Sequence, residues 1–243
     1  MSKLDIYELV IEVTRRCNMK CGHCMRGEPQ AKDLDVKTLI PLLDKTETIG
    51  TIVFTGGEPS IAPGVLRDIL NEIKKRSINV DRFYLVTNGK KVTQQFLRII
   101  MDWFTFVNES EWFDAETPAM LALSKDKYHE DISEANIKKL KMFSFFNEDE
   151  HNTDFDKIPV QNKGRARNLK YQKTCDRKLQ PTDIEIEIDN QTGKIYITSL
   201  ITVTVNGDIL SDCDYEYANT APITITSLNR KTWLDDICQR PKA

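Results

Sequence analysis

Cys17, Cys21 and Cys24 stand in the spacing C-x3-C-x2-C, read in full as Cys17-Asn-Met-Lys-Cys21-Gly-His-Cys24. Thiolates this close in sequence can grip three corners of an iron–sulfur cubane. That leaves the fourth iron without a protein ligand and open to a substrate or cofactor. The other metal reading is zinc, with Cys21-x2-Cys24 as half a site. A structural zinc takes four ligands, and no second C-x2-C or H-x3-H pair stands in the chain. Six cysteines with three of them packed between 17 and 24 do not read as the dispersed framework of a small secreted disulfide protein.

The elements around the cluster explain how it would be positioned. Tyr7 to Thr14 (YELVIEVT) is a short buried strand that runs straight into Cys17. Asp35 to Thr46 has helical spacing through Val36, Leu39, Ile40 and Leu43, with Asp33 or Asp35 as a cap and Pro41 as an irregularity. Thr51 to Thr55 is a second strand followed by Gly56-Gly57-Glu58-Pro59. Gly64 to Ser77 is an amphipathic helix on Val65, Ile69, Leu70 and Ile73. Arg82 to Thr87 is a third strand ending in Asn88-Gly89, and Thr93 to about Phe113 has helical spacing through Phe96, Leu97, Ile100, Phe104 and Val107. Ala119 to Ser124 is a fourth strand, Ile132 to Leu140 a short helix, and Met142 to Phe146 a further apolar run. Strands alternating with helices at this spacing imply parallel βαβ units that close or partly close into a barrel, with functional loops at the strands' carboxyl ends.

The pattern changes after about Asn168. Ile184, Ile186 and Ile188 alternate with Glu185, Glu187 and Asp189, the period of a half-exposed strand. Gly193 lies in a turn before Lys194 to Leu200, and Ile201 to Val205 meets Asn206-Gly207, a hairpin signal. Arg230 to Ile237 reads as a short closing helix. The expected architecture is α/β, a partial (β/α)6 TIM-type barrel over 1–168 with a small β-rich extension over 169–243.

The cysteine spacing in a loop after the first strand, followed by GGEP after the second and Thr87-Asn88-Gly89 after the third, resembles the radical S-adenosylmethionine (SAM) superfamily over residues 8 to about 146. The resemblance implies a [4Fe-4S] cluster on Cys17, Cys21 and Cys24, with SAM on the open iron through its amino and carboxylate groups. It also implies reductive cleavage of the S–C5′ bond to methionine and a 5′-deoxyadenosyl radical, which takes hydrogen from a substrate. Gly56, Gly57 and Glu58 would face the methionine moiety, with Glu58 on its ammonium. Asn88, Ser124 and Asp126 would supply further cofactor contacts. His23 stands where many members carry an aromatic ring near the adenine, and a reductant such as flavodoxin or ferredoxin is implied. Ser124 and Asp126 read equally well as residues that merely end a strand.

Gly164-Arg165-Ala166-Arg167 resembles the GRA sequence that many members with SPASM or twitch extensions carry at the end of the barrel. Cys175, Cys213 and Cys238 could hold an auxiliary cluster, although isolated cysteines are also small buried hydrophobes, and a twitch-like fold without a cluster is the alternative. Lys163 to Lys178 is rich in Lys and Arg, either a solvated face or an anion site at the barrel mouth. His129 is a candidate substrate contact or proton donor, or a structural residue.

A length of 243 residues with 40% hydrophobic and 29% charged residues fits one or two globular parts and argues against disorder. A net charge of -3 is unlike a protein held on nucleic acid by counterion release. With no run near the ~20 apolar residues of a membrane span, a cytoplasmic protein is expected. Three functions follow: radical modification of a peptide or protein side chain, radical modification of a nucleotide or nucleoside, or a non-catalytic iron–sulfur or zinc protein. A peptide or small-molecule substrate is the expected partner.

Overall fold

The computed structural model describes residues 3–109, 120–151, 159–169, 174–175 and 184–239, with backbone alone at 149–151 and 174–175. Its first strand, β1 (Leu4–Thr14), turns Leu9, Ile11 and Val13 into the main core, while Val10 and Glu12 on the opposite face are buried too. A strand covered on both faces belongs in the middle of a parallel sheet. β1 pairs in parallel with β2 (Thr46–Gly56), which pairs with β3 (Asn79–Thr87), then β4 (Leu121–Ser124) and β5 (Phe146–His151), all parallel. Both β1 and β2 begin earlier than the apolar runs suggest, because Leu4 finds partners in Thr46 and in Ile195 on its two sides.

The crossovers follow the sequence pattern with informative shifts. The segment after Asp35 is a 3-10 turn (Val36–Leu39) followed by a single α-turn, α1 (Ile40–Leu43), rather than one helix to 46. Pro41 has no N–H to continue the preceding turn and is accepted only where a helix begins. Asp35 is the cap, accepting from the Lys37 N–H at 3.0 Å. Asp33 instead accepts from the Thr14 hydroxyl at 2.6 Å and from two guanidinium nitrogens of Arg16 at 2.7 Å each.

Helix α2 (Pro63–Lys75) buries Leu66, Ile69, Leu70 and Ile73, roughly 1.5–3 kcal/mol of transfer energy for each. Helix α3 (Gln94–Asn108), capped by Thr93, buries Phe96, Ile99, Ile100, Trp103 and Val107. The Trp103 indole donates to the Leu66 carbonyl at 3.1 Å and so pins α3 to α2. Helix α4 (Glu134–Leu140) precedes β5. Among the described residues no helix is long and apolar enough to cross a membrane.

Between β5 and the tail lies a two-stranded parallel sheet, β6 (Val160–Gln161) with β7 (Thr174–Cys175). The tail contains β8 (Ile186–Ile188), β9 (Ile195–Val203), β10 (Asp208–Leu210), β11 (Thr224–Ser227) and α5 (Trp233–Cys238). The antiparallel pairings expected there are present: β8 with β9, β9 with β10, and β10 with β11. Asn206-Gly207 makes the β9–β10 turn, with Gly207 at a φ of +83°. Yet β9 also pairs in parallel with β1, so the described strands other than β6 and β7 form one nine-stranded sheet. Its parallel run, β9-β1-β2-β3-β4-β5, has the six strands of the expected α/β architecture, with the sixth contributed by the tail beside β1. One core cluster contains Leu4 and Ile11 together with Ile197, Ile201, Val203 and Trp233.

Candidate active site

The carboxyl ends of β1, β2, β3 and β4 deliver Cys17, Gly56, Thr87 and Ser124 to one end of the sheet, where parallel α/β sheets place their sites. A cavity of about 290 Å³ opens there, lined by Cys17, Cys21, Cys24, His23, Gly56, Gly57, Glu58, Asn88, Ser124 and His129, among others. Asp126 is the one residue expected to touch the cofactor that is not on its wall.

Gly56 and Gly57 are glycines because the cysteine loop lies against them. A Cβ on Gly56 would sit 2.1 Å from the Thr14 carbonyl oxygen, and one on Gly57 would sit 2.1 Å from that of Arg16. Gly56 also has a φ of +136°, which side chains rarely adopt. The two loops are bonded through this contact, the Gly57 N–H donating to Thr14 O at 2.7 Å and the Glu58 N–H to Arg16 O at 2.8 Å.

Glu58 is 2% exposed. Its carboxylate accepts from the Ser60 N–H at 3.0 Å, the Thr87 hydroxyl at 2.7 Å and the Asn88 N–H at 2.8 Å. Burial pushes its pKa up against these bonds. The side chain thus braces the GGE loop on the Thr87-Asn88 turn, and of its roughly four acceptor positions three go to the protein. Asn88 donates from Nδ2 to Asn18 Oδ1 at 2.9 Å and lies 3.9 Å from Cys17 Sγ.

The loop after β4 brings a second group to the cavity. His129 Nδ1 comes within 2.9 Å, and His23 Nε2 within 3.3 Å, of the same oxygen, Asp126 Oδ2. The His23 ring lies 5.1 Å from Tyr128 and 5.2 Å from His129 between centroids. Burial lowers the pKa of His23. For His129 burial acts in the same sense, but the Asp126 carboxylate and the Cys21 thiol outweigh it and raise the value to about 9. Burial would raise Asp126, but His129 and the Tyr128 N–H hold it below the usual carboxylate range. Ser124 Oγ is 3.3 Å from His129 Nε2.

Arg165, part of GRA, proves to be a wall of the cavity. Its Nε donates to Cys21 O at 2.9 Å and its N–H to Cys24 O at 3.0 Å. Gly164 makes this possible: its φ is +54°, and a Cβ there would meet the carbonyls of Cys24 and Met25 at 2.5 Å. Met25, also on the wall, carried no sequence signal. Where it is described, the basic run is partly engaged by the protein, with Lys163 buried and Arg167 exposed. Lys163 donates to the Asp214 carbonyl at 2.9 Å, and Arg167 forks onto Glu216, one contact at 2.8 Å. Lys170, Lys173, Arg177 and Lys178 lie outside the described residues.

Behind the cysteine loop stands a buried polar cluster missing from the sequence reading. Glu12, fully buried, accepts from Arg15 Nε at 3.1 and 3.2 Å and from the Val205 N–H at 2.9 Å, which joins β1 to the end of β9. Arg15 stacks 4.6 Å over Tyr217 and Arg26 3.9 Å over Tyr215. A Glu inside the otherwise apolar LVIEV run was the available signal. Of the tail cysteines, Cys238 packs against the main core and burial raises the Cys213 thiol to about 11. The side chain of Cys175 is outside the described residues.

Residues 11–108 match the profile of the radical SAM superfamily. Over this segment the chain is similar to the proteins of that superfamily. A cofactor-modifying protein for the tungsten-containing aldehyde ferredoxin oxidoreductase of Pyrococcus furiosus is 32% identical over 96 residues, 37% of this chain and 26% of that protein. A GTP 3′,8-cyclase of Desulforamulus reducens is 35% identical over 94 residues, 35% of this chain and 28% of the other. The chain thus aligns with little more than a quarter of the length of these relatives. The structure of native anSMEcpe with bound AdoMet and Cp18Cys peptide superposes with a TM-score of 0.56 at 13% identity, covering 97% of this chain and 80% of that one. The shared fold agrees with the partial-barrel description.

Proposed function

We propose that the chain is a radical SAM enzyme whose Cys17, Cys21 and Cys24 hold a [4Fe-4S] cluster, with SAM bound in the cavity beside it. The observation that carries this is the convergence of the three cysteines, the GGE loop and the Thr87-Asn88 turn on one cavity. Bound there, the reduced cluster and SAM supply one-electron cleavage of the S–C5′ bond and a hydrogen-abstracting radical.

The protein's part is placement. Gly56 and Gly57 admit the cysteine loop, Glu58 fixes the GGE loop to the turn after β3, and Arg165 holds the carbonyls of Cys21 and Cys24. Asn88, Ser124 and the His23 ring are the polar and planar groups offered to SAM on the cavity wall, with Asp126 acting through the two imidazoles. An external one-electron donor of the flavodoxin or ferredoxin kind completes the requirement.

The substrate we favour is a peptide or protein side chain. Supporting this are the GRA sequence and the fold shared with a peptide-bound neighbour. The nucleotide reading is favoured by the GTP 3′,8-cyclase relative. Release of 5′-deoxyadenosine by reduced, reconstituted protein separates the two. Stimulation by peptides and not by nucleoside triphosphates is expected, and the reverse would reject the peptide reading.

A further inference from the structure

We propose that His23, Asp126 and His129 form a second metal site, separate from the three cysteines, that takes a borderline divalent cation of the Zn²⁺ class. One ligand atom from each of the three lies within 4.8 Å of the others. The two imidazole nitrogens approach a single carboxylate oxygen, Asp126 Oδ2, at 3.3 and 2.9 Å. An ion about 2.0–2.1 Å from nitrogen and oxygen ligands spaces them roughly 2.9 Å apart at right angles and about 3.3 Å at tetrahedral angles. The observed separations are edges of such a polyhedron.

The 2.9 Å contact of His129 Nδ1 is in the ion-free protein a charge-assisted hydrogen bond whose proton the cation would displace, and what marks a metal site is that His23 Nε2 converges on the same carboxylate oxygen. The side chains of Asp126 and His129 are only 4% and 9% exposed.

The outer groups of His129 and Asp126 are those a metal site requires. A ligating imidazole hands its other N–H to a partner that fixes its tautomer, and a ligating carboxylate is itself hydrogen-bonded. With the proton on His129 Nε2, facing Ser124 Oγ at 3.3 Å, the lone pair of Nδ1 is directed to the ion. The second oxygen of Asp126 accepts from the Tyr128 N–H at 2.7 Å. Two imidazoles and one carboxylate favour zinc and its neighbours over magnesium or calcium, which prefer oxygen throughout. Three protein ligands leave a position open. Both imidazoles line the cavity and the carboxylate does not, so that position falls on the cavity side, where water or a substrate heteroatom would complete it. The ion would also clamp the cysteine loop to the loop after β4.

The test uses full-length, cluster-reconstituted protein equilibrated with micromolar Zn²⁺ and then dialysed, with zinc and iron counted in the same sample and the zinc shell read by X-ray absorption. Expected is about one zinc per chain with nitrogen and oxygen neighbours only. Its affinity should fall more than tenfold in Asp126→Asn and in His129→Gln, and about tenfold in the outer-group variant Ser124→Ala, with iron content retained. Circular dichroism checks that each variant is folded. No retained zinc, zinc unchanged in these variants, or sulfur in the zinc shell would overturn the proposal. The iron count reports separately on the cysteine site, so a sample that holds zinc on nitrogen and oxygen but no iron would reject the cluster and not this site.

Discussion

At the scale of single residues, the two glycines after β2 are space requirements set by the protein's own backbone. Adding a methyl group at Gly57 forces it against the Arg16 carbonyl at 2.1 Å, so Gly57→Ala should destabilise the chain by about 2 kcal/mol or more and lower cluster occupancy. Urea unfolding and iron content check both. Glu58 makes a complementary prediction. Glu58→Gln keeps the shape but puts an NH₂ group against the Asn88 N–H or, with the amide turned, against the Ser60 N–H and the Thr87 hydroxyl, at a cost of about 1–3 kcal/mol. Equal stability of variant and parent would show that the carboxylate faces the cofactor rather than its own loops. The sequence carried the identity of these residues but not this role, because the contact crosses between loops whose separation in the chain hides it. Arg165 is the same case: GRA was visible, while its grip on Cys21 and Cys24 depends on a chain reversal no local pattern encodes.

At the scale of elements, the parallel strands and helices α2 and α3 were legible because each carries a full face of apolar residues. Which residues share that face was less so, and Trp103 and Leu66, not Phe104 and Val65, turn fully inward. The tail was read locally as antiparallel, and its pairing with β1 escaped because parallel partners far apart in sequence leave no turn signal. Burial of Ile201, Thr202 and Val203 on both faces of β9 is the signature of a central strand. Ile201→Ala should therefore cost about 2–5 kcal/mol, as a core truncation does, in a single unfolding transition. A cost under about 1 kcal/mol would argue that β9 is peripheral. The amino end of β9 is fastened by Lys194, which pairs with Asp5 at 2.9 Å and Glu47 at 3.0 Å. These carboxylates raise the Lys194 pKa to about 12, while Lys194 and Lys3 hold that of Glu47 below its ordinary 4.5. The contribution is present above the unfolded pKa of Glu47 and is lost as pH falls through its lower folded value. On the alkaline side it is present below the ordinary lysine value of 10.5 and lost as pH rises through 12. Since the groups are partly exposed and screened, Lys194→Ala should lose no more than about 1 kcal/mol near neutrality. Thermal melts across pH should show the variant and parent converging at both extremes.

At the scale of the whole molecule, one sheet unites the βα units with the tail, and the buried Glu12–Arg15 pair, bonded also to Val205, joins them beside the cysteine loop. The tail thereby braces both flanks of the cysteine loop, through Arg26 on Tyr215 and Arg15 on Tyr217. Everything functional in this account depends on a cubane with one iron left to a small molecule. The most direct measurement is the electron paramagnetic resonance spectrum of the anaerobically reconstituted, reduced protein with and without SAM. Expected is a [4Fe-4S] signal that SAM perturbs and that is lost in Cys24→Ala. A protein that assembles no such cluster, or whose signal is indifferent to SAM, would contradict it.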